Sequence, residues 1–144
     1  MRSFLVDVNV WLALCSDRHV HYAAAHRWFP TVPPGGAFLC RLTQLALLRL
    51  LTNARVMGVD VLTQAGAWSV YDRLRQDARV GYTDEPLGLE AAFRRRTQTR
   101  QPAGSGWTDA YLAALAETRG LTVVSFDRGF RRLGGIDALI LPLA

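Results

Sequence analysis

The sequence predicts an α/β fold: a three-layer α/β/α sandwich whose helices cover both faces of a central, mainly parallel sheet. Three observations predict it. Short apolar runs of strand length alternate with segments of helical composition, at the spacing of strand–helix–strand units. The strand runs are near-continuously apolar, as in strands buried on both faces. The chain has 144 residues, half of them apolar and a fifth charged, which suits one ordinary globular domain, 1–144, with its own core.

The elements follow in order. Phe4 to Val6 is a short buried strand ended by Asp7, and VNVWLALC continues as a helix. Asp17 to His19 make a turn. His21 to Phe29 has helical composition until Pro30, Pro33, Pro34, Gly35 and Gly36 break it. Ala37 to Cys40 is the second strand. Leu42 to Leu51 is a strongly apolar helix, richer in Leu than one face requires, and so either deeply buried or a seam between two subunits. Val56 to Val61 is a loop. Thr63 caps a helix running through AWSVYDRLRQ. Arg79 to Tyr82 is a strand, and Gly88 to Arg96 a helix that ends in the basic run RRRTQTR. QPAGSG is a loop. Thr108 to Arg119 is the clearest helix, with Gly120 as its stop. Leu121 to Phe126 is the clearest strand. Phe130 to Leu133 forms a turn or short helix, and Ala138 to Leu141 the last strand.

Net charge is +5 and the pI about 10.0, with all 17 basic residues Arg and no Lys. A small basic protein is drawn to polyanions, and Arg grips phosphate by its forked shape. The missing Lys excludes a P-loop, which needs one on the phosphates, and a Schiff-base enzyme, which needs an amine. Cys15 and Cys40 read as small buried hydrophobes, and with His19, His21 and His26 they make no zinc spacing. The expected setting is cytoplasmic and reducing. Arg2 before an apolar stretch resembles a signal peptide, but Asp7 and Asn9 interrupt it and no small-residue cleavage site is evident. No run approaches the length of a membrane helix, so no membrane partner is expected.

Three carboxylates occupy equivalent places. Asp7 ends the first strand, Asp127 follows LTVVSF, and Asp109 lies in the first turn of the TDAYLAALA helix. In an open parallel sheet these positions face one edge, where such folds place their sites. Each has a plain structural alternative: Asp7 as a helix cap, Asp109 as a complement to the helix dipole, Asp127 as a turn residue. None of these excludes a site. If the three converge, a hard divalent cation such as Mg²⁺ is the natural partner, and the lack of nearby His or Cys argues against zinc. An acidic metal site in an Arg-rich chain suggests a phosphodiester substrate and water-driven, in-line displacement.

Four motifs in order, LVDVNVWLAL, LTQLALLRLLTN, WTDAYLAALA and VVSFDRGF, span nearly the whole chain. With them the sequence resembles the PIN-domain ribonucleases, and more narrowly the VapC-type toxins of bacterial toxin–antitoxin pairs. The resemblance implies a PIN-like fold and an acidic pocket binding Mg²⁺ or Mn²⁺ that hydrolyses RNA. It places Asp7, Asp109 and Asp127 at the family's first, third and fourth acids, as catalytic and metal-holding residues. It places Asn9 and Ser125 at small polar supports, with Thr108 capping the helix of Asp109. Where the family usually has a second acid, a Glu, this chain has Gln44, an uncharged and poor metal ligand. Gln44 is therefore either a catalytic-site residue or a polar residue at a helix start. Asp84, Glu85 and Glu90 are candidate replacement carboxylates. The resemblance further implies a homodimer, a small cognate antitoxin, and structured transfer or ribosomal RNA as substrate. The alternative that Gln44 motivates is a non-catalytic RNA- or antitoxin-binding module with a decayed metal site. A haloacid-dehalogenase-type phosphatase shares the Asp after the first strand but needs a Lys and a second Asp where Asn9 stands.

Arg94, Arg95, Arg96 and Arg100 are candidate RNA contacts near the loop leading to Asp109, with a solvated charged face as the alternative. Trp11, Trp28 and Trp68 are expected in the core or an interface, and Trp107, beside Asp109, is the best candidate for stacking on a base.

Overall fold

The apolar runs pair into one five-stranded parallel sheet in the computed structural model, which describes residues 2–98 and 106–143. The strands are β1 (Phe4–Val6), β2 (Ala37–Leu39), β3 (Val80–Tyr82), β4 (Thr122–Ser125) and β5 (Ala138–Ile140), in the order β3-β2-β1-β4-β5. Every neighbouring pair is parallel. The chain moves outward from β1 through β2 to β3, then returns to lay β4 on the other flank of β1. The carboxyl ends of β1 and β4 therefore lie at the point where strand order reverses, where such folds place their sites.

Among the described residues seven α-helices cover the sheet: α1 (Val8–Cys15), α2 (Tyr22–Trp28), α3 (Arg41–Leu51), α4 (Ala54–Met57), α5 (Gln64–Gln76), α6 (Leu89–Thr97) and α7 (Trp107–Arg119). The period-two alternation of each strand divides the core between the two faces. Phe4, Val6, Ala37, Leu39 and Val124 pack with Trp11, Trp28, Leu47 and Tyr71 of α1, α2, α3 and α5. Leu5, Cys40 and Val123 pack on the opposite face with Leu112 and Leu115 of α7 and Ala92 of α6. Trp11 is wholly buried, and truncating it to Ala would cost about 3–5 kcal/mol. The expected three-layer sandwich is the observed one.

Local chemistry sets the helix ends. The Thr63 hydroxyl accepts from the Gly66 N–H at 3.0 Å and starts α5, as expected. Gly120 stops α7 at φ +66°, a conformation that favours glycine. The stretch Val56 to Val61, expected as a loop, overlaps α4 and a 3₁₀ turn over Gly58–Asp60. Asn53 nucleates it by accepting from the Arg55 N–H at 2.9 Å, and so short a helix shows no apolar periodicity to read. α2 ends at Trp28 and continues as a 3₁₀ turn over Phe29–Thr31, where Pro30 can sit because little hydrogen bonding is asked of it.

The Leu-rich helix α3 is only partly explained by the core: Leu47 and Leu51 are buried, but Leu45 is 52% exposed. Cys15 and Cys40 are both free thiols, and burial pushes Cys15 up to about 11. No helix among the described residues is long and apolar enough to cross a membrane.

Candidate active site

β1 and β4 are neighbours in register, Val6 against Val124, and the Asp7 N–H continues the ladder to the Val124 carbonyl at 2.9 Å. The next residue on each strand is then Asp7 on one side and Ser125 on the other. The Asp7 carboxylate is 8% exposed and held at both oxygens. Its Oδ1 accepts from the Val8 N–H at 2.8 Å, which caps α1, and its Oδ2 accepts from the Ser125 hydroxyl at 2.7 Å.

Ser125 is wholly buried, and its oxygen accepts twice, from Asn9 Nδ2 at 3.2 Å and from the Asp127 N–H at 2.9 Å. A hydroxyl has one proton to give and two lone pairs, so Ser125 is saturated. Asn9 Oδ1 in turn accepts from the Phe126 N–H at 3.3 Å. Asp7, Asn9, Ser125 and Asp127 thus form one connected network across the ends of β1 and β4. The plain alternatives hold as well: Asp7 does cap α1, and Asp127 Oδ1 accepts from the Gly129 N–H at 2.8 Å to start the 3₁₀ turn over Arg128–Arg132.

Asp109 comes to the same edge from α7, in its first turn and partly buried. Burial raises the Asp7 carboxyl above its ordinary value; Ser125 and the Val8 N–H pull it back, and the charges of Asp109 and Asp127 push it further up. Asp109 is raised too, by burial and then by the charge of Asp127. The three acids therefore feel one another. Thr108 does not cap α7. The helix begins at Trp107 after Gly106, which makes no side-chain cap, so Thr108 is already inside the first turn and is exposed.

The three acids have the chemistry that a divalent cation requires. Among the described residues the ion pairs engage Asp60, Asp77, Glu90 and Glu117, and none engages Asp7, Asp109 or Asp127. Hard oxygens of one sign are thus gathered without a protein counter-ion. Among the described residues no three His, Cys, Asp or Glu side chains stand close enough to enclose an ion by themselves. The acids suit an ion that keeps waters and borrows oxygens from its substrate, as Mg²⁺ does, rather than a closed zinc cage.

The family model of the PIN domain matches residues 4–136. The chain belongs to the PIN-domain family. Ribonuclease VapC41 of Mycobacterium tuberculosis is 43% identical over 142 residues, which cover 95% of this chain and 97% of that protein, and this places the chain among the VapC ribonucleases. The fold matches the crystal structure of VapC20 of M. tuberculosis, described as a sarcin-ricin loop cleaving toxin, with a TM-score of 0.71 at 19% identity over 97% of this chain and 100% of that one. It also matches a chain in VapBC2 of Rickettsia felis bound to a promoter DNA fragment, with a TM-score of 0.67 at 11% identity over 96% and 98%.

Within this PIN domain, Gln44 is buried on α3, and its Oε1 accepts from Arg41 Nη1. Among the described residues no hydrogen bond joins it to the three acids. Glu90 is turned to Arg94, at 3.1 Å on the exposed face of α6. Asp84 and Glu85 are exposed just after β3, and burial above all pushes Tyr111 up to about 12. Arg95 lies 4.0 Å from Glu117. The Arg96 side chain is only 14% exposed, paired to Glu117 at 3.4 Å and donating to the Gly134 carbonyl at 2.8 Å. Arg96 thus ties α6 to α7 and to the turn before β5. Arg100 lies outside the described residues. Trp107 is exposed at the start of α7, edge-on to Phe93.

The sequence reading missed Arg41, Arg75 and Tyr82, which meet at the ends of β2 and β3. No spacing signals them, because only the parallel pairing of β2 with β3 brings them together.

Proposed function

We propose that this VapC-family chain is a Mg²⁺- or Mn²⁺-dependent endoribonuclease, the toxin of a toxin–antitoxin pair, hydrolysing RNA phosphodiester bonds at the edge formed by β1, β4 and α7. The observation that carries this reading is the buried Asp7, locked by Val8 and Ser125, beside Asp109 and Asp127 and without a cationic partner among the described residues. Asp7, Asp109 and Asp127 would hold the ion, which when bound supplies water activation and neutralises charge on the phosphate. Ser125 fixes the rotamer of Asp7 and, through the Asp127 N–H, the position of Asp127. Asn9 braces Ser125 and the Phe126 peptide.

The likeness to VapC20, a sarcin-ricin loop cleaving toxin, supports a structured transfer or ribosomal RNA as the substrate class, and the likeness to VapBC2 supports a small antitoxin partner. The half-exposed Leu45 and Trp68, 52% and 47% exposed on α3 and α5, suit a homodimer. A cytoplasmic setting follows from such a substrate.

The second reading, a non-catalytic module that binds RNA or antitoxin, is favoured by one observation: Gln44 is engaged with Arg41 rather than with the acids. The test incubates the purified chain, freed of antitoxin, with total RNA and Mg²⁺ or Mn²⁺, alongside EDTA and Asp7→Asn samples. Discrete cuts that vanish in both controls are expected. RNA bound but uncut with either metal would select the second reading.

A further inference from the structure

The other half of the same sheet edge carries an arrangement that the acids do not use. Arg41 opens α3 directly after β2, and Tyr82 ends β3, with Leu39 opposite Tyr82 in the parallel register. The Arg41 guanidinium lies over the Tyr82 ring at 5.7 Å from its centre, and that of Arg75, from the last turn of α5, at 5.3 Å. Both arginines are exposed and the ring is partly buried.

Each guanidinium is anchored by a neutral acceptor. Arg75 donates to the Tyr71 hydroxyl at 3.1 Å, and Arg41 donates to the buried Gln44 amide. Among the described residues neither arginine has a carboxylate within ion-pairing distance, whereas Arg18, Arg79, Arg94, Arg95 and Arg96 all do. Asp84 is the acid nearest in sequence to the ring, and it is exposed and pairs with neither. Two like charges held on one ring, by groups that do not neutralise them, are oriented for an anion from outside.

Position says which anion. β2, which leads into Arg41, is the neighbour of β1, the strand that presents Asp7, and β3, which ends at Tyr82, is the next strand beyond it. An RNA strand with one phosphate at the acids would carry a neighbouring phosphate across this half. Arg suits it, since its fork matches phosphate oxygens and its plane stacks on bases.

We propose that Arg41 and Arg75, set on Tyr82, form the RNA-backbone site of this nuclease, and that Gln44 is an amide because a carboxylate there would pair with Arg41 and cancel the charge that phosphate needs. The assignment rests on the nuclease reading. It gives Gln44 a function in place of the missing acid.

The test uses the Asp7→Asn chain, which is not expected to cut, with a short fluorescent single-stranded RNA at fixed Mg²⁺ over a salt series. Arg41→Gln and Arg75→Gln should each weaken binding about three- to tenfold, irrespective of sequence, and make the salt dependence shallower by about 0.7 in log–log slope per lost phosphate contact. Gln44→Glu should weaken binding as Arg41→Gln does. Arg18→Gln, whose partner is Asp60, should change nothing. Arg75→Gln reads the site even if a change at Arg41 disturbs α3. RNA affinity and slope unchanged in the Arg41→Gln, Arg75→Gln double variant would overturn the proposal, as would no binding by the parent chain. Unchanged RNA affinity with weakened antitoxin binding would assign the pair to the partner and overturn it equally. Cleavage by wild type is read in parallel: no cleavage with Arg41-dependent binding sinks the nuclease reading and leaves the RNA site, while cleavage with Arg-independent binding does the reverse.

Discussion

The carboxyl-end edge of the sheet is built in two opposite halves. Around β1, β4 and α7 it gathers acids: Asp7 buried and locked by Val8 and Ser125, with Asp109 and Asp127 near enough to repel it. Around β2 and β3 it gathers bases: Arg41 and Arg75 on the Tyr82 ring, held by Gln44 and Tyr71. In each half charges of one sign are held beside neutral hydrogen-bond partners and, among the described residues, have no ion-pair partner. Some charges elsewhere are paired, as in Arg79 with Asp77 at 2.8 Å and Arg96 with Glu117. Where like charges are gathered and held in place, the fold carries an electrostatic cost that a ligand can offset.

The strongest way to break the comparison is Asp7→Asn. Cleavage should fall by about a hundredfold or more, the scale of losing one charged stabiliser of a transition state. The same variant should be more stable at neutral pH. Asp7 has its folded pKa raised, so the folded state binds its proton more tightly than the unfolded chain does. The cost of ionised Asp7 is then fully present above the folded pKa and disappears as pH falls below the unfolded one. Thermal melts from pH 7 into acid should show the variant's advantage shrinking. A variant less stable than wild type at pH 7 would mean that the hydrogen bonds from Val8 and Ser125 stabilise ionised Asp7 by more than burial costs it.

Ser125→Ala comes next. It removes the donor to Asp7 and the acceptor of Asn9 and of the Asp127 N–H, in a wholly buried place, and should cost about 1–3 kcal/mol in a denaturant titration. Cleavage should drop at least about tenfold, because Asp7 and Asp127 lose their common brace.

Gln44→Glu sharpens the contrast between the halves. The usual PIN-domain acid would be restored, yet RNA binding should weaken severalfold as the new carboxylate neutralises Arg41. Faster cleavage at unchanged RNA affinity would instead show that position 44 belongs to the acidic half. The smallest effect is expected from Arg18→Gln, on an exposed pair with Asp60: within about 0.5 kcal/mol in stability and no change in RNA binding.

Most of the fold was legible in the sequence. Strands buried on both faces, such as FLV and TVVS, are near-continuous apolar runs, and the Gly120 stop and Thr63 cap are local chemistry that does not wait for tertiary structure. Asp7, Asp109 and Asp127 were legible because a carboxylate after a buried strand or at a helix start must face one edge of a parallel sheet. The short helix α4 was not, since it lacks periodicity. Nor was the role of Arg96, whose partners Glu117 and Gly134 lie 21 and 38 residues on.

By itself, then, the sequence determined the layered architecture, the placing of three acids at one sheet edge and the absence of any Lys-based chemistry. These follow from patterns within one element and from residue type. The tertiary structure decided what each side chain meets. The register of β1 against β4 makes Ser125 the brace of Asp7, and the pairing of β2 with β3 puts Arg41 and Arg75 on one ring. Those choices depend on which strands lie side by side, and strand order is settled by the packing of the whole chain rather than by any local stretch of it.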